Sequence, residues 1–127
     1  MNQEIILNKD TMIVSETDEK GIIIYANEDF CKIADYTKEE LIGKPHNVLR
    51  HQDMPKAAFL DLWNHAKANK VWKGIVKNAT KHGDYYWVNA TVYSVIKAGG
   101  EKRLISVRIK PTKEEISSAI SLYKTLI

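Results

Sequence analysis

The sequence contains a single cysteine, Cys31, among 127 residues. An internal disulfide is therefore excluded, as is a zinc site built mainly from thiolates, and a reducing, cytoplasmic setting is expected. Long hydrophobic runs are missing too. No stretch approaches the roughly 18 apolar residues of a membrane span, and the opening MNQEIILNKD lacks the basic start and apolar block of a signal peptide. This segment is expected not to insert into a membrane. Nor is one sign of charge in excess: 19 Lys+Arg against 16 Asp+Glu leave +3, and the basic residues are scattered, which gives no case for nucleic acid. Repeats and low-complexity tracts are absent. What remains, at 44% hydrophobic, is enough for one domain with a core and one enclosed cavity.

Two short β-rich runs, Met12 to Thr17 and Ile22 to Ala26, flank Asp18-Glu19-Lys20-Gly21 and predict a hairpin. Asn27 then caps a short helix through Ala34, and Thr37 with Glu40 forms a capping box for another that stops before Gly43 and Pro45. Phe59, Leu62, Trp63 and Ala66, at i, i+3, i+4 and i+7, make one face of a longer helix that begins at Pro55. Three runs rich in β-branched and aromatic residues follow, VWKGIVKNAT, DYYWVNATVYSV and KRLISVRIK, separated by KHG and KAGGE turns. A second capping box, Thr112 and Glu115, opens a last helix whose stripe Ile116, Ile120, Tyr123 and Ile127 wants a partner. The order predicts an α+β domain: a five-stranded antiparallel sheet with small helices on one face and a C-terminal exit helix.

Between Pro45 and Pro55 stands PHNVLRHQDMP, the densest cluster of chemistry in the chain. One helical face cannot present both His46 and His51, since a spacing of five turns roughly 140° around the axis. No third His or Cys lies at chelating spacing, which argues against a metal site. Neither histidine neighbours a Ser or Cys in an elbow-like context, so a hydrolase is not indicated. His65 falls about 110° from the centre of its helix's apolar face and reads as solvated. His46 and His51 stay open as axial ligands of a haem. Each residue alone has a plain structural reading, as a cap, a loop donor or a satisfied core histidine. Together, beside Trp63 and Trp72, they read as a ligand wall.

These residues also resemble a known family. YANEDFCKIADYTKEELIGKPHN resembles the hairpin-to-helix passage of PAS sensor domains. The Pro-His-Asn, Arg-His-x-Asp-Met-Pro and Trp-x-Gly-x-Val-Lys-Asn elements resemble the PAS domain of aerotaxis and energy-taxis receptors. The likeness runs from about Thr11 to Tyr123 and is densest from Gly43 to Asn89. It implies a non-enzymatic redox sensor that binds FAD, with a methyl-accepting chemotaxis-type signalling partner. It also implies a cap segment at 1–10, a sensor domain at 11–111 and a signalling helix at 112–127. Dimerisation through the outer sheet face or the last helix is the companion expectation.

A flavin ring is a flat apolar slab with a polar edge, and needs aromatic or aliphatic faces plus a few amide groups. Trp72, Gly74, Val76 and Asn78 share one strand face at period two and supply these. The same logic turns Tyr86, Val88 and Ala90 toward the cavity, and Trp87, Asn89, Thr91 and Tyr93 away. In light-sensing flavin PAS domains the photoreactive cysteine sits where this chain has His46, so no photoadduct is expected. Alignment with their flavin-facing glutamine puts Arg108 beside the ring, where a fixed cation favours a reduced, anionic state. The alternation of Ile105, Val107 and Ile109 points the other way and turns Arg108 to solvent unless the second sheet face is also covered. Arg50, His51, Asp53 and Lys56 are suited to the pyrophosphate end. The expected cofactor-binding set is His46, Arg50, His51, Asp53, Trp63, Trp72, Asn78, Arg108 and Asn27. The alternatives are a haem-based gas sensor and a cofactor-free dimerisation module.

Overall fold

The computed structural model describes residues 2–126. Strands β1 (Ile13–Thr17), β2 (Ile23–Ala26), β3 (Trp72–Ala79), β4 (Tyr85–Ile96) and β5 (Lys102–Ile109) form one sheet in the order β2-β1-β5-β4-β3. Every neighbouring pair is antiparallel. Helices α1 (Glu28–Ala34), α2 (Lys38–Leu41) and α3 (Lys56–Lys67), with a 3-10 turn at His46–Leu49, connect β2 to β3, and α4 (Lys113–Thr125) follows β5.

Local chemistry fixes these elements as the sequence predicts. Asp18 Oδ1 accepts from the backbone N–H groups of Lys20 (2.9 Å) and Ile22 (3.0 Å), and Gly21 takes φ +84° to close the hairpin. The Thr37/Glu40 and Thr112/Glu115 capping boxes are both formed. The C-terminus of α3 is tied down from the sheet, because Lys102 Nζ (2.7 Å) and Ser94 Oγ (3.3 Å) both donate to the Ala66 carbonyl.

On β4, Tyr86, Val88, Ala90 and Val92 are buried on the helix-covered face. On β5 the alternation of branched residues misleads. Leu104 and Arg108 are buried and Ile109 is 44% exposed, so Leu104, Ser106 and Arg108 form the inward face, and Ile105, Val107 and Ile109 face outward. The reason is that the outer face is itself partly covered, which removes polarity as a guide to direction. Helix α4 lies against β3 and β4: Asn89 Nδ2 donates to Glu115 Oε2 (3.1 Å), the Tyr123 hydroxyl donates to the Ile75 carbonyl, and Ala119 and Tyr123 are buried. Of its stripe, Ile116 packs on the core, Ile120 is exposed and Ile127 lies outside the described residues. The N-terminal segment runs beside the start of β4, with Ile5 N–H on the Tyr85 carbonyl (2.8 Å) and Leu7 buried in the core.

Candidate functional site

Between α3, the 3-10 turn and the inner faces of β3, β4 and β5 lies a cavity of about 420 Å³. Its apolar walls are Phe59, Leu62 and Trp63 from α3, Trp72 and Val76 from β3, and Ala90 and Val92 from β4. His46, Asn78, Ser106 and Arg108 supply polar groups, with Lys20, Asn47 and Arg50 along the more exposed rim. This combination of flat apolar walls and a few placed polar groups suits a planar heteroaromatic ligand.

Trp72 is held as a wall. Its Nε1 donates to Asp61 Oδ2 (2.9 Å), and its ring lies over Gly74, where a Cβ would stand 2.3 Å from Cη2. Only a residue without a side chain leaves room for the indole there. We expect Gly74→Ala to destabilise the protein by about 1–3 kcal/mol and to push Trp72 off the cavity wall. Thermal unfolding together with a shift in tryptophan fluorescence checks this.

Arg108 is the deepest charge, 2% exposed. Its Nη2 donates to Ser15 Oγ (2.7 Å), its Nη1 donates to His46 Nε2 (3.0 Å), and its guanidinium carbon sits 4.6 Å from the centre of the Phe30 ring. Its Nε is buried with no partner among the described residues, and no carboxylate pairs with it there. Burial pushes Arg108 down to about 10. Burial first, then the Arg108 charge, pushes His46 down to about 3. His46 is thus neutral, with Nε2 as acceptor and Nδ1 carrying the proton. Burial raises the Tyr86 phenol to about 12 against the opposing Arg108 charge and the Asn78 side chain.

Six of the residues expected to bind cofactor line this cavity: His46, Arg50, Trp63, Trp72, Asn78 and Arg108. Asn27, His51 and Asp53 do not line it. Asn27 accepts from Val14 N (3.0 Å) and Phe30 N (3.1 Å) and donates to the Met12 carbonyl (2.9 Å), stitching β1 to α1. His51 Nδ1 accepts from Asp53 N (3.0 Å), and the His51 ring meets Tyr85 edge-on. Asp53 pairs with Lys77 Nζ (2.8 Å), whose ammonium also sits 4.4 Å from the Tyr85 ring centre. Lys77 N–H contacts Met54 Sδ (3.4 Å), and Arg50 bridges to Asn78. The Arg-His-x-Asp-Met element is therefore fastened to β3 as a bracket, with Arg50 directed to the cavity and His51 and Asp53 holding the loop. Ser15 and Phe30, which support Arg108, went unread in the sequence. The signal was available in the parity of β1, which places Ser15 on the same face as the buried Ile13 and Thr17.

Residues 23–117 match the PAS fold family. The chain belongs to that family. It is a PAS domain of the aerotaxis-receptor type: it is 45% identical to the Aerotaxis receptor of Escherichia coli (strain K12) over 120 residues, 94% of this chain and 24% of that protein. It is 26% identical to the Nitrogen fixation regulatory protein of Klebsiella oxytoca over 91 residues, 72% of this chain and 18% of that protein. The chain thus spans less than a quarter of either relative. Among solved structures, the dark structure of the blue-light photoreceptor Aureochrome1 LOV superposes with a TM-score of 0.76 at 15% identity, covering 89% of this chain and 85% of that one. That likeness establishes the fold.

Within the PAS domain, the occupied Nε2 of His46 bears on two other chemistries. It takes a proton donor from Arg108, so it is not a free base for Ser15, 3.3 Å away. In this arrangement Arg108 also occupies the Nε2 lone pair that an axial ligand would use. His51 and His65 lie outside the cavity lining, His65 Nδ1 being 2.8 Å from the Asp61 carbonyl. Among the described residues no helix is long and apolar enough to cross a membrane.

Proposed function

We propose that this PAS domain holds FAD non-covalently in the 420 Å³ cavity and signals its redox state, without catalysing a reaction of its own. The observation that carries this reading is Arg108: a buried guanidinium with one unpartnered nitrogen and no carboxylate, on the wall of a cavity faced with Trp63 and Trp72. A buried cation without a counter-charge is costly unless a ligand supplies the anion or acceptor. Flavin fits this donor set, with a large apolar ring for the tryptophans and a polar edge for Asn78 and Arg108. The names of the relatives support it, since one is an aerotaxis receptor and one solved neighbour is a study of a flavin analogue in a light-oxygen-voltage domain.

When bound, a flavin supplies reversible electron uptake that changes the charge and protonation of its ring. Arg108 presents a fixed positive charge to that change, Asn78 presents an amide, and His46 holds its proton at Nδ1 so that Nε2 orients Arg108. Arg108 joins β5 to β1 through Ser15, and α4 is joined to β4 by Asn89–Glu115 and to β3 by Tyr123. A rearrangement at Arg108 or Asn78 thereby reaches both the outer sheet face and α4. There, residues 112–127 pass it to a methyl-accepting chemotaxis-type partner or a second copy, in the cytoplasm, with 1–10 as a cap and 11–111 as the sensor.

Purification of the chain, reconstitution with flavin, and mass spectrometry of the extracted cofactor test this. A yellow protein releasing FAD supports it. A chain that stays colourless in flavin excess, or shows a Soret band after haem supplementation, overturns it. The bracket adds a second expectation: Lys77→Met, which frees Asp53 and the 50–54 loop, lowers FAD affinity about three- to fivefold with the secondary structure unchanged, measured by flavin fluorescence quenching and circular dichroism.

A further inference from the structure

Strand β3 is an edge of the sheet, and its open side is closed along only part of its length. The backbone groups of alternate residues in an antiparallel edge strand point away from the neighbouring strand. On β3 these are Lys73, Ile75 and Lys77: Lys77 N–H reaches Met54 Sδ (3.4 Å), and the Ile75 carbonyl accepts from the Tyr123 hydroxyl. Arg50 bridges to Asn78 and closes the far end. Three groups are left over. The N–H and C=O of Lys73 and the N–H of Ile75 have no hydrogen-bond partner among the described residues. Both residues line a second, open groove of about 660 Å³ between α3 and α4, with Ala58 on one side and Ala119 and Leu122 on the other. Trp72 lines this groove as well as the cavity, so an occupant touches a residue of the cavity wall.

Free backbone groups at strand spacing are matched by another extended backbone, and not by a helix, whose own N–H and C=O groups bond to each other. The charged side chains of the groove are Asp61, Glu114 and Glu115 against Lys73, a net negative lining on a chain whose net charge is +3. Glu114 is exposed and forms no ion pair among the described residues. The complementary strand therefore carries basic side chains. A second copy of this chain fits poorly. Two-fold pairing centred on Lys73 would set ammonium against ammonium. Pairing centred on Gly74 would need the Ile75 carbonyl, which Tyr123 already holds.

We infer that the β3 edge at Lys73–Ile75 is a docking site for an extended, basic segment of a partner protein, which adds to the sheet as a further strand. The test is NMR titration of the isotope-labelled 127-residue chain with the peptide acetyl-Lys-Val-Lys-Val-Lys-Val-amide. Binding protects the Lys73 and Ile75 amides from hydrogen exchange and is weakened by salt. N-methylation of the two central peptide residues lowers the affinity about tenfold. Glu114→Lys in the chain lowers it about three- to fivefold. No binding at millimolar peptide, or equal binding of the N-methylated form, overturns the proposal. Protection of the two amides by a concentration-dependent dimer without peptide also overturns it, and assigns the edge to a second copy. Tighter binding of a helical Leu-Lys-Lys-Leu repeat overturns it in favour of a helix in the groove.

Discussion

Replacing Arg108 with methionine raises the stability of the cofactor-free protein by about 1–3 kcal/mol while lowering its affinity for flavin about tenfold or more. The two effects have opposite signs because, on the proposed reading, Arg108 serves a ligand and not the fold. Burial lowers it from the usual guanidinium range to about 10, so the folded state disfavours the charge by roughly 3 kcal/mol, at about 1.4 kcal/mol per unit. The sign follows from linkage. A cation depressed on folding penalises the fold at neutral pH, and that penalty is relieved only above about pH 10, where the folded group loses its proton before the unfolded one does. Methionine removes the charge and the unpartnered Nε. The groups it abandons can re-pair, since Ser15 Oγ already stands 3.3 Å from His46 Nε2 and can donate to it. Guanidinium denaturation of the apo protein and flavin titration of both forms measure the pair of effects. Loss of apo stability beyond about 1 kcal/mol in Arg108→Met, or an unchanged flavin affinity, would show that Arg108 is a structural residue.

How much of this was legible beforehand divides along the range of the interaction. Capping boxes, the Asp18–Gly21 turn and the helical face of α3 are set by neighbours three or four residues apart, and each appears where the sequence puts it. The period-two face of β3 was equally readable, because Trp72, Val76 and Asn78 need only the alternation of a strand to share one cavity wall. The direction of β5 was not. Its inward face, Leu104, Ser106 and Arg108, is the more polar one, and the outward Ile105 and Val107 are themselves half-buried, so burial does not separate the two faces. No local pattern on β5 carries that information.

The cluster at Pro45–Pro55 shows a second limit. Sequence grouped His46, Arg50, His51 and Asp53 as one wall, and the fold separates them by role. His46 and Arg50 face the cavity, while His51 and Asp53 grip each other and Lys77 on the flank of β3. The division depends on where Lys77 stands, 24 residues beyond Asp53 and across an entire helix.

The second large effect is an acid sensitivity of folding centred on His46. At pH 7 the imidazole is neutral in both folded and unfolded chains. Below about 6.5 the unfolded chain takes up a proton, while the folded site, desolvated and facing Arg108, resists it down to about 3. The unfolded state therefore binds more protons across that window, and stability complete above 6.5 is lost progressively as the pH falls. At about 1.4 kcal/mol per unit, the native protein is about 2 kcal/mol less stable at pH 5 than at pH 7 from this residue alone. His51, lowered by burial and by Lys77, adds in the same direction. Glu40, Asp53 and Asp84, each lowered, contribute chiefly below their ordinary values of 4.5 and 3.8, and so lie outside the comparison of pH 7 with pH 5. Protonation of His46 would set an Nε2–H against the N–H of Arg108 Nη1 and place two cations 3.0 Å apart, so acid breaks the contact that orients Arg108. His46→Gln keeps an acceptor for Arg108 without a titrating group, and it should flatten the decline between pH 7 and 5 to the part due to His51. Denaturant unfolding at both pH values, on native and variant chains, reads the difference. A decline in His46→Gln as steep as in the native chain would remove the imidazole facing Arg108 as its source.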